Sequence, residues 1–305
     1  MSFDVLQSKI RKLKNPIVLK LSPSISELPA QVLAKAEDSY GSTLKAAAEA
    51  FKEYCISLLD TLCDLLPAVS IAAAPFFALG CEGAAALEAV LSHAKQKNLY
   101  VILDINCALP PEQSQIFADS IFAGTCIGDE LLSPYYADCV TVNGYHGTDS
   151  IRPWLPYCKQ GKSLILLIKS ANKSGREVQE LLSGDRVIYT AMADLAMRWS
   201  TGLYGTNGYS QIGVSCCTGN GVLSQMRKDY DRLFLFVDGL DAPSVAVKHT
   251  ADAFDRFGHG AAVLVGQSIT CAWKSRETDG TDYLELARAA AEKLKNDFLK
   301  NVVIL

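Results

Sequence analysis

The sequence predicts a single (β/α)8 barrel domain spanning residues 1–305. Three observations predict it. Short β-branched apolar runs alternate with longer stretches of helical periodicity, as in a parallel sheet built from βαβ units. The apolar runs are continuous rather than alternating, which suits strands buried on both faces. Eight such runs fall within 305 residues, the number and length that close a barrel of this kind.

The predicted strands are residues 17–21, 69–73, 100–104, 139–142, 164–168, 212–216, 233–237 and 261–265. Helical spacing is read over 43–66, rich in Ala and Leu, and then over 82–95, 113–122, 176–182, 189–199, 222–230, 246–257 and 282–299. The linkers are short, and no Pro/Gly/Ser-rich tract divides the chain. Residues 1–14 read as a polar segment with scattered Lys and Arg. They lack the apolar centre of a signal peptide, so a cytoplasmic protein is expected.

Composition narrows the function. A net charge of −4 argues against a nucleic-acid partner, which needs a basic surface to displace counterions. No apolar run is long enough to span a bilayer, so no membrane partner is expected. The ten cysteines include no CxxC pair, and there are four histidines. Reduced thiols in a packed core are expected, with neither a disulfide framework nor a metal site.

Chemistry in such a barrel sits at the C-terminal ends of the strands. In order, those ends read Leu21-Ser22-Pro23, Ser70-Ile71-Ala72, Asp104-Ile105-Asn106-Cys107, Asn143-Gly144-Tyr145-His146, Lys169-Ser170-Ala171-Asn172, Cys217-Thr218-Gly219-Asn220, Asp238-Gly239-Leu240-Asp241 and Gly266-Gln267-Ser268. Most of these groups are neutral hydrogen-bonding side chains. Lys169 reads as the one lysine at a strand end facing the barrel mouth. Cys107 and His146 follow neighbouring strands, where a thiol–imidazole pair could form a nucleophile. Inert packing is the commoner fate of such a cysteine.

Several of these segments resemble the orotidine 5′-phosphate decarboxylase family, in its longer bacterial type. The resemblance is carried by Asn15-Pro16-Ile17-Val18-Leu19, by Leu66-Pro67-Ala68-Val69 with Gly80-Cys81-Glu82-Gly83, and by Ala137-Asp138-Cys139-Val140-Thr141-Val142-Asn143 with Gly147-Thr148-Asp149-Ser150. Ser170-Ala171-Asn172 and Ala272-Trp273 add to it, so that it runs from about Asn15 to the last helix. It implies a (β/α)8 barrel that converts orotidine 5′-phosphate to uridine 5′-phosphate and carbon dioxide, without metal or organic cofactor. Charged lysines and aspartates at fixed positions would stabilise the developing carbanion.

Those charges are largely missing. The family's Asp-x-Lys-x-x-Asp stretch reads Asp104-Ile105-Asn106-Cys107-Ala108-Leu109 here. Asp104 remains, Asn106 replaces the protonating lysine and Leu109 replaces the aspartate delivered across the dimer interface. Ser70 stands for the second-strand lysine and Ser22 for the first-strand aspartate. The phosphate grip implied by the resemblance is backbone amides after strands seven and eight plus an arginine. Here it becomes Gly239, flanked by two aspartates, and Gln267. The remaining binding candidates are Asn143, Lys169, Ser170 and Asn172, with Ala171 in place of a base-contacting serine.

Three readings follow. The first is a non-catalytic paralogue that binds a small polar ligand, a pyrimidine nucleotide among the candidates, or has a regulatory role. The second is a repurposed barrel enzyme using Asp104 with Lys169, or Cys107 with His146. The third is a decarboxylase with relocated charges. The resemblance implies a homodimer through the strand ends. A heterodimer with an active paralogue would place Leu109 in the partner's site and inhibit it.

Overall fold

A computed structural model describes residues 1–219, 221–242, 245–275 and 279–305. Asn220, named above at a strand end, lies outside the described residues. The strands in chain order are β1 (Ile17–Leu21), β2 (Ala68–Ala72), β3 (Tyr100–Cys107), β4 (Thr125–Ile127), β5 (Glu130–Leu132), β6 (Cys139–Val142), β7 (Ser163–Lys169), β8 (Leu182–Ser183), β9 (Arg186–Val187), β10 (Ile212–Cys217), β11 (Leu235–Asp238) and β12 (Ala261–Val265). The α-helices are α1 (Ser2–Leu13), α2 (Ala30–Tyr40), α3 (Leu44–Leu62), α4 (Ala73–Phe77), α5 (Gly80–Gln96), α6 (Pro111–Phe122), α7 (Thr148–Ile151), α8 (Leu155–Lys159), α9 (Arg176–Gln179), α10 (Ile188–Trp199), α11 (Val222–Asp229), α12 (Gln267–Thr270) and α13 (Tyr283–Asn301).

Eight strands close into a parallel barrel in the order β1-β12-β11-β10-β7-β6-β3-β2, with β2 pairing back onto β1. The expected (β/α)8 barrel is therefore the observed fold, and its strands match the eight apolar runs to within a few residues. Closure leaves no free sheet edge, so every barrel strand is paired on both sides. The remaining four strands form two antiparallel hairpins, β4–β5 and β8–β9, that decorate the barrel.

The N-terminal segment differs from the expectation. Residues 2–13 form a helix whose Phe3, Leu6 and Ile10 make one buried stripe. This stripe covers the end of the barrel where the strands begin. Phe3 stacks on Phe234 at 4.9 Å, and its N–H donates to Gln211 Oε1 at 3.0 Å. Gly260 N–H donates to Gln7 Oε1 at 3.0 Å, and the Ser2 hydroxyl joins Tyr100 and Ser163 in a buried network. Gly213 makes room for the plug, because a Cβ there would stand 3.2 Å from the Phe3 ring and 2.9 Å from the Phe234 carbonyl.

Other differences are local. The helix read over 176–182 stops at Gln179, since Leu182–Ser183 pairs with Arg186–Val187 as a hairpin. The stretch read over 246–257 is a 3-10 helix over Val247–Ala253. It ends where Asp255 accepts the N–H groups of Phe257 and His259 and turns the chain. No described helix is long and apolar enough to cross a membrane.

Truncating the plug tests its weight. Phe3→Ala is expected to lower unfolding free energy by about 3–5 kcal/mol, as for a large aromatic removed from a packed core. Urea denaturation followed by tryptophan fluorescence reads this change.

Candidate functional site

The C-terminal strand ends enclose a small pocket of about 210 Å³. Lys20 from β1, Ser70 from β2, Asp104 and Asn106 from β3, Thr141 from β6, Ser215 from β10 and Asp238 from β11 line it with polar groups. Ser170, Ala171 and Asn172 form its rim beyond β7.

Asp104 is fixed by local backbone geometry. The pairing of β3 with β6 shifts between Leu103 and Cys107, a bulge that re-aims the end of the strand. Asn106 sits within it at φ 39°, a left-handed conformation that asparagine tolerates better than most residues. Thr141 ties the bulge together: its hydroxyl donates to Asp104 Oδ1 at 2.6 Å and accepts the Asn106 N–H at 2.8 Å. Asp104 thus keeps a hydroxyl partner rather than a lysine from its own strand.

Lys169 does not face this pocket, and this corrects the sequence reading. Ile165 and Leu167 of β7 point inward, so simple alternation would send Lys169 inward too. A bulge intervenes: Ser215 pairs with Leu167, but Cys216 pairs with Lys169, skipping Ile168. Lys169 is turned into the neighbouring cleft, where its ammonium pairs with Glu180 and lies 4.9 Å from the Tyr189 ring centre. The hydrogen bond from Lys169 holds the Glu180 carboxyl below its usual range. An Asp104–Lys169 pair is therefore absent from this arrangement.

Lys20, which sequence reasoning passed over, is the lysine lining the pocket among the described residues. Its Nζ lies 3.1 Å from Asp238 Oδ2, with both side chains about one-third exposed. The signal was available, since Lys20 on β1 stands two before Ser22, just past the strand end, and alternation along an extended chain puts both on one face. Ser22 itself lies further out, beside Glu27, Asp241 and Gln267.

The amides that could cradle a phosphate are occupied by side chains of this chain. Gly239 N–H donates to Asp238 Oδ1 at 2.8 Å. Beyond β12, Gly266 N–H donates to Asp241 Oδ2 at 2.9 Å and Ser268 N–H to Asp241 Oδ1 at 2.8 Å. Gln267 donates its side-chain amide to Glu27. Carboxylates thus stand where a dianion would need bare donors, and a second anion there would meet like charge.

The other predicted residues separate. Asn143 Oδ1 accepts the Tyr145 N–H at 3.0 Å and so caps the 3-10 turn Gly144–His146. Ser170 bonds to Gln179, while Asn172 is exposed at the rim. Leu109 offers its carbonyl to the Ser150 hydroxyl at 2.6 Å. Cys107 and His146 share no hydrogen bond, and burial pushes the Cys107 thiol up to about 11, which disfavours the thiolate a nucleophile needs.

The fold and the position of its polar pocket define a (β/α)8 barrel of the kind that handles small molecules at its strand ends. No family model matches the chain. It is 29% identical to the orotidine 5′-phosphate decarboxylase of Rhodopirellula baltica over 287 residues, 92% of each chain. It is 26% identical to that of Clostridium kluyveri over 303 residues, 98% of each. The structure of Leishmania donovani OMP decarboxylase superposes with a TM-score of 0.73 at 25% identity, covering 98% of both chains. The same organism's UMP synthase also superposes at TM-score 0.73, but this chain spans 56% of its length. Over nearly its whole length the chain is thus similar to members of the orotidine 5′-phosphate decarboxylase family.

Alkylation separates the thiols. At pH 8 exposed Cys81 and Cys126 are expected to react with iodoacetamide first. Cys107 should be labelled at a rate that climbs until the pH nears about 11, as its thiolate forms. Peptide mass spectrometry across a pH series reads the order, and fast labelling of Cys107 at pH 8 would contradict the buried-thiol assignment.

Proposed function

We propose that this barrel binds a small polar, hydrogen-bonding molecule in the strand-end pocket and does not decarboxylate orotidine 5′-phosphate. The observation that carries this reading is the occupation of the amides after β11 and β12 by Asp238 and Asp241. In a reaction driven by remote binding energy, losing the grip on the phosphate removes transition-state stabilisation even where the ring pocket survives. The pocket adds to this. Asp104 is partnered by Thr141, and the position two residues further on holds an amide that cannot protonate a carbanion.

One observation favours a second reading. Lys20 brings an ammonium into the same pocket as Asp104, paired with Asp238 from the far side of β12. A decarboxylase with relocated charges would use Lys20 as the proton donor and Asp104 to crowd the leaving carboxylate. On either reading we propose a soluble homodimer formed through the strand ends. A mixed dimer with an active paralogue would present Leu109 to the partner's site and act as an inhibitor.

A spectrophotometric assay with orotidine 5′-phosphate decides between these readings, using protein purified from a host deleted for its own enzyme. No turnover above the uncatalysed rate is expected. Turnover that falls by about 10²-fold or more in Lys20→Ala would overturn the first reading and establish the second.

A further inference from the structure

Beside the pocket, beyond the ends of β7 and β10, lies a wider cleft of about 580 Å³. Ser170, Ala171 and Asn172 line both cavities, so they share a wall. The charges of the two sides differ in sign. Toward β11 and β12 the mouth carries Glu27, Asp238 and Asp241, with Lys20 the cation among them. The cleft carries Lys169, Lys173 and Arg176 against Glu180.

Glu180 is taken by Lys169. Among the described residues, neither Lys173 nor Arg176 forms an ion pair or donates a side-chain hydrogen bond, and both are exposed. The chain geometry holds them together: Lys173–Gly175 is a 3-10 turn that runs directly into α9, which begins at Arg176. Thr218 and Gln179 add neutral polar groups to the walls, and Tyr189 and Val222 an apolar floor. Arg176 joins Lys169 in holding the Glu180 carboxyl below its usual range, so it lies near that acid without bonding to it. Two cations without a bonded partner over a polar wall make an anion receptor, because a guanidinium offers a planar fork and an ammonium a point charge to the same oxygens.

We propose that this cleft is an anion-binding subsite that receives the carboxylate or phosphate of the same molecule whose hydrogen-bonding end occupies the pocket at Asp104. The assignment rests on the ligand-binding reading of that pocket. It places the anionic end of the ligand beyond β7 and β10, across the mouth from the amides that Asp241 occupies. The ligand class is a small organic acid or phosphomonoester with a polar, uncharged body.

Calorimetric titration of the full chain with inorganic phosphate, and separately with acetate, tests the assignment. One of the two anions is expected to bind, and Lys173→Gln/Arg176→Gln is expected to weaken it about tenfold or more. The preferred anion identifies the group. Both positions are exposed, and an unchanged circular dichroism spectrum and melting temperature certify the fold of the double variant. Lys12→Gln, exposed on α1 at the opposite end of the barrel, is expected to leave the affinity unchanged. Absence of binding by both anions, wild-type affinity in the double variant, or an equal loss in Lys12→Gln would overturn the proposal. The two readings fail separately. Turnover of orotidine 5′-phosphate would remove the non-catalytic reading and with it the uncharged-body ligand class, leaving the anion affinity of the cleft to stand, whereas an insensitive double variant would remove the cleft assignment and leave the non-catalytic reading.

Discussion

The whole site depends on the parity of side chains in a closed parallel barrel. Each strand presents alternate residues inward, and closure through the β1–β12 pair prevents any strand from slipping to correct its facing. Where pairing is regular, as in β1, Lys20 points into the mouth. Where it is bulged, parity is reset. The bulge in β7 sends Lys169 to Glu180 and Tyr189, and the bulge in β3 delivers Asp104 to Thr141. Which ion meets which is therefore decided by two local shifts of register.

The opposite end of the barrel supplies the rigidity that makes such placement meaningful. The α1 plug ties together the starts of strands that are distant in sequence, through Tyr100, Ser163, Gln211 and Gly260. Its contacts are aromatic packing and buried hydrogen bonds, which hold one geometry better than a fluid apolar cap would. The mouth can thus carry exposed loops and unpaired charges without loosening the strands beneath.

The barrel was legible because continuous apolar runs at the right spacing have few other solutions. The plug was not, because Phe3, Leu6 and Ile10 are scattered among charges and show their stripe only at helical spacing. In the site, Asp104, Asn106 and Ser70, which line the pocket, could be read from the order of strand ends, whereas their standing as replacements, like that of Gln267, is what the resemblance implies. The partners could not. Thr141 reaches Asp104 across a bulge, Lys20 meets Asp238 across an intervening strand, and Asp241 reaches forward to amides beyond β12. Bulges leave little trace in composition, and pairings of distant residues leave none in a single sequence.

The hold of Asp241 on the Gly266 and Ser268 amides also bears on what a substitution nearby can do. An arginine introduced at position 267 would arrive beside an acid already seated on its neighbours' donors, and would pair with that acid rather than capture an anion. Removing the acid first would leave two amides bare and the loop that carries it unanchored. One acid thus both anchors its own loop and closes these amides, so a single substitution at position 267 would not by itself open them to an anion.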